Sequence, residues 1–167
     1  MEIFTFKNFA NTTLYLTKNL NNIFYNSQYN QYEFEHILND FQSHFDLKSK
    51  SNFYSLYRND KLFYKIFKDG SCFSFKKNNP KLIFGKNYVI EQFDQENIKN
   101  DDFVFQEFND EKFSINEIIF SYENNFSIHF KKILYNDDKH FFQISIDIQS
   151  IKDSNYLKNI IQFFLKH

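Results

Sequence analysis

His129 and Asp147 are the ionisable pair with the clearest capacity for chemistry. They fall among the polar positions of neighbouring segments in which Ile and Phe recur at every second residue. An imidazole and a carboxylate on adjacent strands can pass a proton to or from a bound group, which is general acid–base catalysis. Ser127, Lys131 and Ser145 share their face. No nucleophile motif, glycine-rich anion loop or strained turn accompanies them, so a polar sheet face turned to water is the simpler account.

Other combinations are weaker. His36, Asp40 and His44 are spaced four apart, which on a helix places side chains on successive turns, as a metal pair requires. They face away from the Phe34/Phe41 stripe, however, and read as solvated surface. Asp110-Glu111-Lys112 has the Asp-x-Lys spacing that can hold Mg²⁺ and activate water. It falls in an expected turn, and such tripeptides arise by chance in a chain with 20 Lys and Arg and 21 Asp and Glu. Cys72 is the single cysteine, so no disulfide can form within the chain, and it reads as a small filler. Gly85-Lys86 lacks the spaced glycines and the following Ser or Thr of a phosphate loop. No metal or cofactor is expected.

Charge is distributed unevenly. Residues 47–87 carry ten basic groups (Lys48, Lys50, Arg58, Lys61, Lys65, Lys68, Lys76, Lys77, Lys81, Lys86) against Asp60 and Asp69. Residues 91–112 carry eight acidic groups (Glu91, Asp94, Glu96, Asp101, Asp102, Glu107, Asp110, Glu111) against Lys99 and Lys112. The acidic segment also holds Phe103, Phe105 and Phe108. Carboxylates mixed with aromatic anchors suit a surface that covers the basic cleft of another protein, with charge speeding encounter and aromatics slowing release. The basic segment offers a second reading: lysines following a nucleic-acid backbone, with Tyr54, Tyr57 or Tyr64 stacking on bases. Arg58 is the only arginine among those ten cations, which counts against base and phosphate recognition. A bland account remains for both segments, as solvated surface or as halves that attract each other within the fold.

The bulk properties fit one domain spanning 1–167, with a net charge of −1 that argues for neither nucleic acid nor membrane as a general partner. The start lacks the basic-then-apolar layout of a secretory signal, and no run reaches the about 20 apolar residues that cross a bilayer, so a cytoplasmic protein is expected. Phe, Asn, Lys and Ile share AT-rich codons, and the 25 Phe and 11 Tyr fit genomic base bias in a microbe, virus or mobile element. Aromatic content is therefore weak evidence for stacking on a ligand.

The elements that position these residues follow from periodicity. Residues 117–149 alternate as three antiparallel strands: Ile118, Phe120, Tyr122; Phe126, Ile128, Phe130; Phe142, Ile144, Ile146, Ile148. A three-residue loop, Glu123-Asn124-Asn125, pairs Tyr122 with Phe126, Phe120 with Ile128 and Ile118 with Phe130, sets Glu117 across from Lys131 and places Asn125 in the left-handed position. A two-residue turn would set an inward residue against an outward one. A second meander runs from Phe53 to Lys76. Asp69-Gly70 pairs Ile66 with Phe73 and Tyr64 with Phe75, and Asn59-Asp60 pairs Tyr57 with Leu62 and Phe53 with Ile66. Pro80 and Gly85 break the chain around Leu82–Phe84, and Tyr88–Phe93 and Phe103–Phe108 are expected strands. Residues 2–6 suit a short strand. Residues 9–25 suit a weak helix, with a strand over Thr12–Thr17 as the alternative. A helix over 31–45 carries a Phe34, Ile37, Leu38, Phe41, Phe45 stripe behind an Asn30/Glu33 capping box. A last helix, capped by Asp153 or Ser154, buries Leu157, Ile160, Ile161 and Phe164.

The expected fold is α+β: a largely antiparallel sheet of two β-meanders, with two N-terminal helices and one C-terminal helix packed on its buried face. The scarcity of Gly, needed for tight active-site turns and anion cradles, tilts the reading away from an enzyme. The expected function is a non-catalytic inhibitor, an immunity or antitoxin-like or phage-borne protein. It would occlude a nuclease or toxin partner with Glu91, Asp94, Glu96, Asp101, Asp102, Phe103, Phe105, Glu107, Phe108, Asp110 and Glu111. Nucleic-acid binding through residues 48–86 is the alternative.

Overall fold

In the computed structural model the described residues are 2–6, 8–16, 29–59, 62–99, 111–136 and 138–167. Strands β1 (Thr12–Leu16), β2 (Ser49–Asn59), β3 (Leu62–Phe67), β4 (Cys72–Gly85), β5 (Tyr88–Ile98), β6 (Lys112–Tyr122), β7 (Phe126–Tyr135) and β8 (Lys139–Ile148) pair antiparallel. They close into a barrel in the order β1-β5-β4-β3-β2-β6-β7-β8. Helices α1 (Gln31–His44) and α2 (Ser154–Leu165) lie against its outer wall. The α+β class and the antiparallel sheet are as expected, with the sheet closed on itself.

The β6–β7–β8 wall carries the architecture. Its alternation sets Tyr122 opposite Phe126, Phe120 opposite Ile128, Ile118 opposite Phe130 and Glu117 opposite Lys131, the register expected from the three-residue loop. The left-handed residue of that loop is Glu123, at φ 46°, and not Asn125. Asn125 instead ties the loop to the end of β8, its carbonyl accepting from the N–H groups of Gln149 and Ser150.

The apolar face of this wall lies outside the barrel, beneath the two helices. Phe34 of α1 packs edge-on to Phe130, and Phe41 packs on Phe120, Phe130 and Phe164. The α2 stripe of Leu157, Ile160, Ile161 and Phe164 is buried in the same core. Asn30 accepts from the N–H of Glu33 while Glu33 reaches back to the N–H of Asn30, the expected capping box. Asp153 caps α2 by accepting from the N–H of Tyr156 and also receives the Tyr122 hydroxyl at 2.9 Å, which locks α2 to β6.

Several expected elements differ. Thr12–Leu16 is strand β1, so the helix expected over 9–25 does not exist there and the strand alternative holds; residues 17–28 lie outside the described residues. The described N-terminal part therefore contributes one α-helix and not two. Glu2–Thr5 is a 3₁₀ turn, not a strand, with Ile3 fully buried in the helix-side core. Pro80 does not end a strand: β4 runs on through a bulge between Asn78 and Lys81, with Asn79 at φ 51°, and a bulge is where a strand tolerates proline. In the second meander Lys65 faces Phe73, Phe63 faces Phe75 and Tyr54 faces Phe67. This one-residue slip from the expected β3–β4 register turns Phe63 and Lys65 inward and Tyr64 outward. Tyr88–Phe93 lies within β5, and the strand expected over Phe103–Phe108 lies outside the described residues.

Phe41 touches five rings, those of Phe45, Phe120, Phe130, Phe163 and Phe164, and has no exposed surface. Phe41→Ala should lower unfolding free energy by about 3–5 kcal/mol in a urea titration. Loss below about 1 kcal/mol would mean that α1 does not hold the barrel wall.

Candidate active site in the barrel lumen

Because the Ile/Phe face of β6–β8 is covered by helices, its polar alternates point into the barrel. β6 contributes Glu117, β7 contributes Ser127, His129 and Lys131, and β8 contributes Gln143, Ser145 and Asp147. β1 adds Thr13 and Tyr15, β5 adds Glu91, β4 adds Lys77 and β3 adds Lys65. Together with Tyr54, Phe63, Phe73, Phe75 and Phe93, several of these line a cavity of about 610 Å³. A second apolar cluster, including Leu56, Phe63, Phe113, Ile115 and Ile133, forms the apolar part of the same cavity wall.

His129 is the hub. Its Nδ1 lies 3.1 Å from Glu117 Oε2 and its Nε2 lies 3.1 Å from Asp147 Oδ2. Ser127 Oγ is 2.9 Å from Nε2. A carboxylate only accepts, so two carboxylates on the two ring nitrogens require both N–H groups, and the ring is an imidazolium. Burial alone would lower the His129 pKa, but the bonds to Asp147 and Glu117 raise it above its ordinary value. Burial would raise the Asp147 and Glu117 carboxyls, yet His129, with help from Lys131, holds both below the usual range. The remaining carboxylate oxygens are also used: Asp147 Oδ1 accepts from Thr13 at 2.8 Å and Glu117 Oε1 accepts from Asn52 at 3.5 Å.

Lys77 pairs with Glu91 at 2.8 Å, both side chains deeply buried. The Tyr15 hydroxyl donates to the same carboxylate at 3.4 Å. Lys65 and Lys131 make no ion pair among the described residues. Lys65 stands over the Tyr54 ring at 5.0 Å and Lys77 over Phe93 at 4.6 Å, where the ring faces offset part of the cost of dehydrating an ammonium. Burial, and then the like charge of Lys131, push the Lys65 amine down to about 8. Ser145 Oγ is fully buried beside His129 with no hydrogen-bond partner among the described residues. Two ammoniums without an ion pair among the described residues border a partly dehydrated chamber, an arrangement that favours negative charge at that point.

The residues singled out from the sequence are scattered by this arrangement. His129, Asp147, Ser127, Lys131 and Ser145 do converge, but in the lumen and not on an outer wet face. Of the acidic interface, Glu91 is inside the barrel on Lys77, Glu111 pairs with Arg58 at 3.4 Å, and Asp94 and Glu96 are exposed on β5. Asp101, Asp102, Phe103, Phe105, Glu107, Phe108 and Asp110 lie outside the described residues. The basic segment is likewise split, with Lys65 and Lys77 inward and Lys68, Lys76 and Lys81 on or near the outer surface. Asp40 meets His44 and His167 on the exterior. Glu117, Lys65, Lys77 and Tyr15 were missed as site residues. The Glu117–Lys131 pairing was in hand, but only barrel closure makes that face internal.

No protein-family model and no curated protein sequence matches the chain. Solved structures do. The mimivirus capping enzyme triphosphatase superposes with a TM-score of 0.64 at 11% identity, over 92% of this chain and 88% of that one. The RNA triphosphatase of S. pombe does so with a TM-score of 0.58 at 10% identity, over 85% and 71%. At such identity the likeness establishes the fold. The chain shares a closed antiparallel barrel fold with these two solved structures. That finding contradicts the expected non-catalytic inhibitor and the expectation that the chain is not an enzyme: the solved structures that share its barrel are RNA triphosphatases.

Phosphoryl transfer commonly employs a divalent cation held by carboxylates. The described lumen residues do not fit one. Glu117 and Asp147 are separated by the imidazolium they share, and Glu91 is committed to Lys77. Among the described residues no group of three or more His, Cys, Asp or Glu converges as a metal site.

Lys131→Gln should raise the Lys65 pKa above about 8, because the removed charge is the second cause of its depression. An NMR titration of the lysine side chains reads this directly; an unmoved Lys65 would place Lys131 too far away to share a ligand with it. Asp147→Asn should flatten the acid limb of stability. A carboxyl depressed in the fold stabilises it above its unfolded pKa of about 3.9 and loses that contribution as pH falls through the folded value. Thermal melts between pH 7 and pH 3 measure it.

Proposed function

We propose that this chain is a phosphohydrolase that takes a triphosphate or other polyphosphate end into the barrel lumen. The observation that carries the reading is the pair of ammoniums, Lys65 and Lys131, which have no ion pair among the described residues and line the cavity of a closed barrel shared with RNA triphosphatase structures. A polyphosphate presents several negative charges at close spacing, and the aromatic-lined, partly dehydrated cavity strengthens each contact with it. Lys77, already close to Glu91, can tilt toward the same anion.

Hydrolysis balances with the groups present. The oxygen of a water molecule bonds to the terminal phosphorus while the bridging P–O bond breaks. The water's proton is lost to bulk water, and the departing phosphate oxygen leaves as an anion whose charge Lys65 and Lys131 hold. The ammoniums hold the charge that spreads over the phosphoryl oxygens.

Phosphate release from inorganic tripolyphosphate, nucleoside triphosphates and a 5′-triphosphate RNA tests the reading. Lys65→Ala combined with Lys131→Ala should lower kcat/KM by about 100-fold or more while the fold is kept, the scale for removing charge-stabilising donors. No release from any of the three by the native chain, or full activity in the double variant, would overturn it.

A further inference from the structure

We propose that the lumen binds its polyphosphate as the free anion, with no divalent cation, because the His129 imidazole clamped between Glu117 and Asp147 occupies the position from which a metal would be held. The inference rests on the preceding reading for the class of ligand and adds how that ligand is charged when it enters.

Three observations carry it. First, all four oxygens of Glu117 and Asp147 already accept hydrogen bonds, two of them from His129 at 3.1 Å and the others from Thr13 and Asn52. A divalent ion bound there would have to displace a deeply buried cationic ring from between its two counter-charges. Second, the third inward carboxylate, Glu91, is bound to Lys77 at 2.8 Å and to the Tyr15 hydroxyl. Third, Lys65 and Lys131 line the cavity without an ion pair among the described residues, and both can donate to phosphoryl oxygens. His129 thus offsets one of the two carboxylate charges that would repel an anion, part of the electrostatic service a bound metal performs in other phosphate sites. A polyphosphate already chelated by Mg²⁺ would bring a hydrated cation toward Lys65 and Lys131, which repel it.

Calorimetric titration of the native chain with inorganic tripolyphosphate, once in EDTA and once in excess Mg²⁺ or Mn²⁺, decides the matter. The expected affinity in EDTA is at least equal to that with metal, and titration with the metal alone should give no saturable heat. His129→Asn should weaken tripolyphosphate binding in EDTA by about tenfold or more, because two uncompensated carboxylates then face the anion. The same variant should gain saturable Mn²⁺ binding, read by its EPR signal. Binding by the native chain only in the presence of metal, or saturable Mn²⁺ binding by the native chain that Glu117→Gln abolishes, would overturn this inference and leave the phosphohydrolase reading standing. Absence of tripolyphosphate binding in both buffers, for a chain with a cooperative melt, would overturn the two together.

Discussion

Closure of the sheet is the constraint on which everything else depends. Once β1 pairs with both β5 and β8, every strand has one face turned to helices or solvent and the other turned to a shared interior. Polar side chains on the interior face can no longer be hydrated freely, so each charge must find a partner or be neutralised. The Asp147–His129–Glu117 chain and the Lys77–Glu91 pair are the solutions the sequence carries. Among the described residues Lys65 and Lys131 are what that accounting leaves over, positive charges in a chamber where Leu or Phe would serve stability better.

The helices explain how such a polar interior is tolerated. In a small barrel the interior is commonly the hydrophobic core. Here much of the apolar burial lies outside, where α1 and α2 cover β6, β7 and β8 with Phe34, Phe41, Phe130, Phe164 and their neighbours. The internal cluster around Phe113, Ile115 and Ile133 lines the cavity without filling it. With a core established against the helices, the rest of the interior is free to hold ions and a cavity. Burying a fully charged tunnel without that outside core would leave little hydrophobic stabilisation to offset desolvation.

Strand identity and much of the register were legible in the sequence. Alternation placed Ile118, Phe120 and Ile128 on one face and Glu117, His129 and Lys131 on the other, and the loop at 123–125 fixed their pairing. What a period of two cannot say is which face curls inward, because a half-buried flat sheet and a helix-backed barrel share the same pattern. The polar face was accordingly read as wet exterior and His129 as a surface residue. Closure itself rests on β1, five residues of Thr, Leu and Tyr whose polar neighbours resemble a weak helix as much as a strand. The inward turn of Lys65 depends on a one-residue register slip at β3 that Asp69-Gly70 does not dictate. Charge counting along the chain also misled, since Glu91 and Lys77 are counted into opposite patches yet meet inside the barrel.

The scarcity of glycine was weighed against catalysis on the ground that anion cradles are built from backbone N–H groups. That argument assumes a loop-built cradle. A barrel lumen instead supplies donors from side chains on rigid strands, and the strands need no left-handed residues to present them. Lysine suits this role when its stem can lie along aromatic walls, as Lys65 does on Tyr54, Phe73 and Phe75 and Lys77 does on Phe63 and Phe93. The same contacts leave the ammonium short of water, which lowers the cost of handing it to an anion. The depressed Lys65 pKa and the proposed phosphate binding then share one cause: an ammonium poorly solvated before the ligand arrives has less to lose and more to gain when it does.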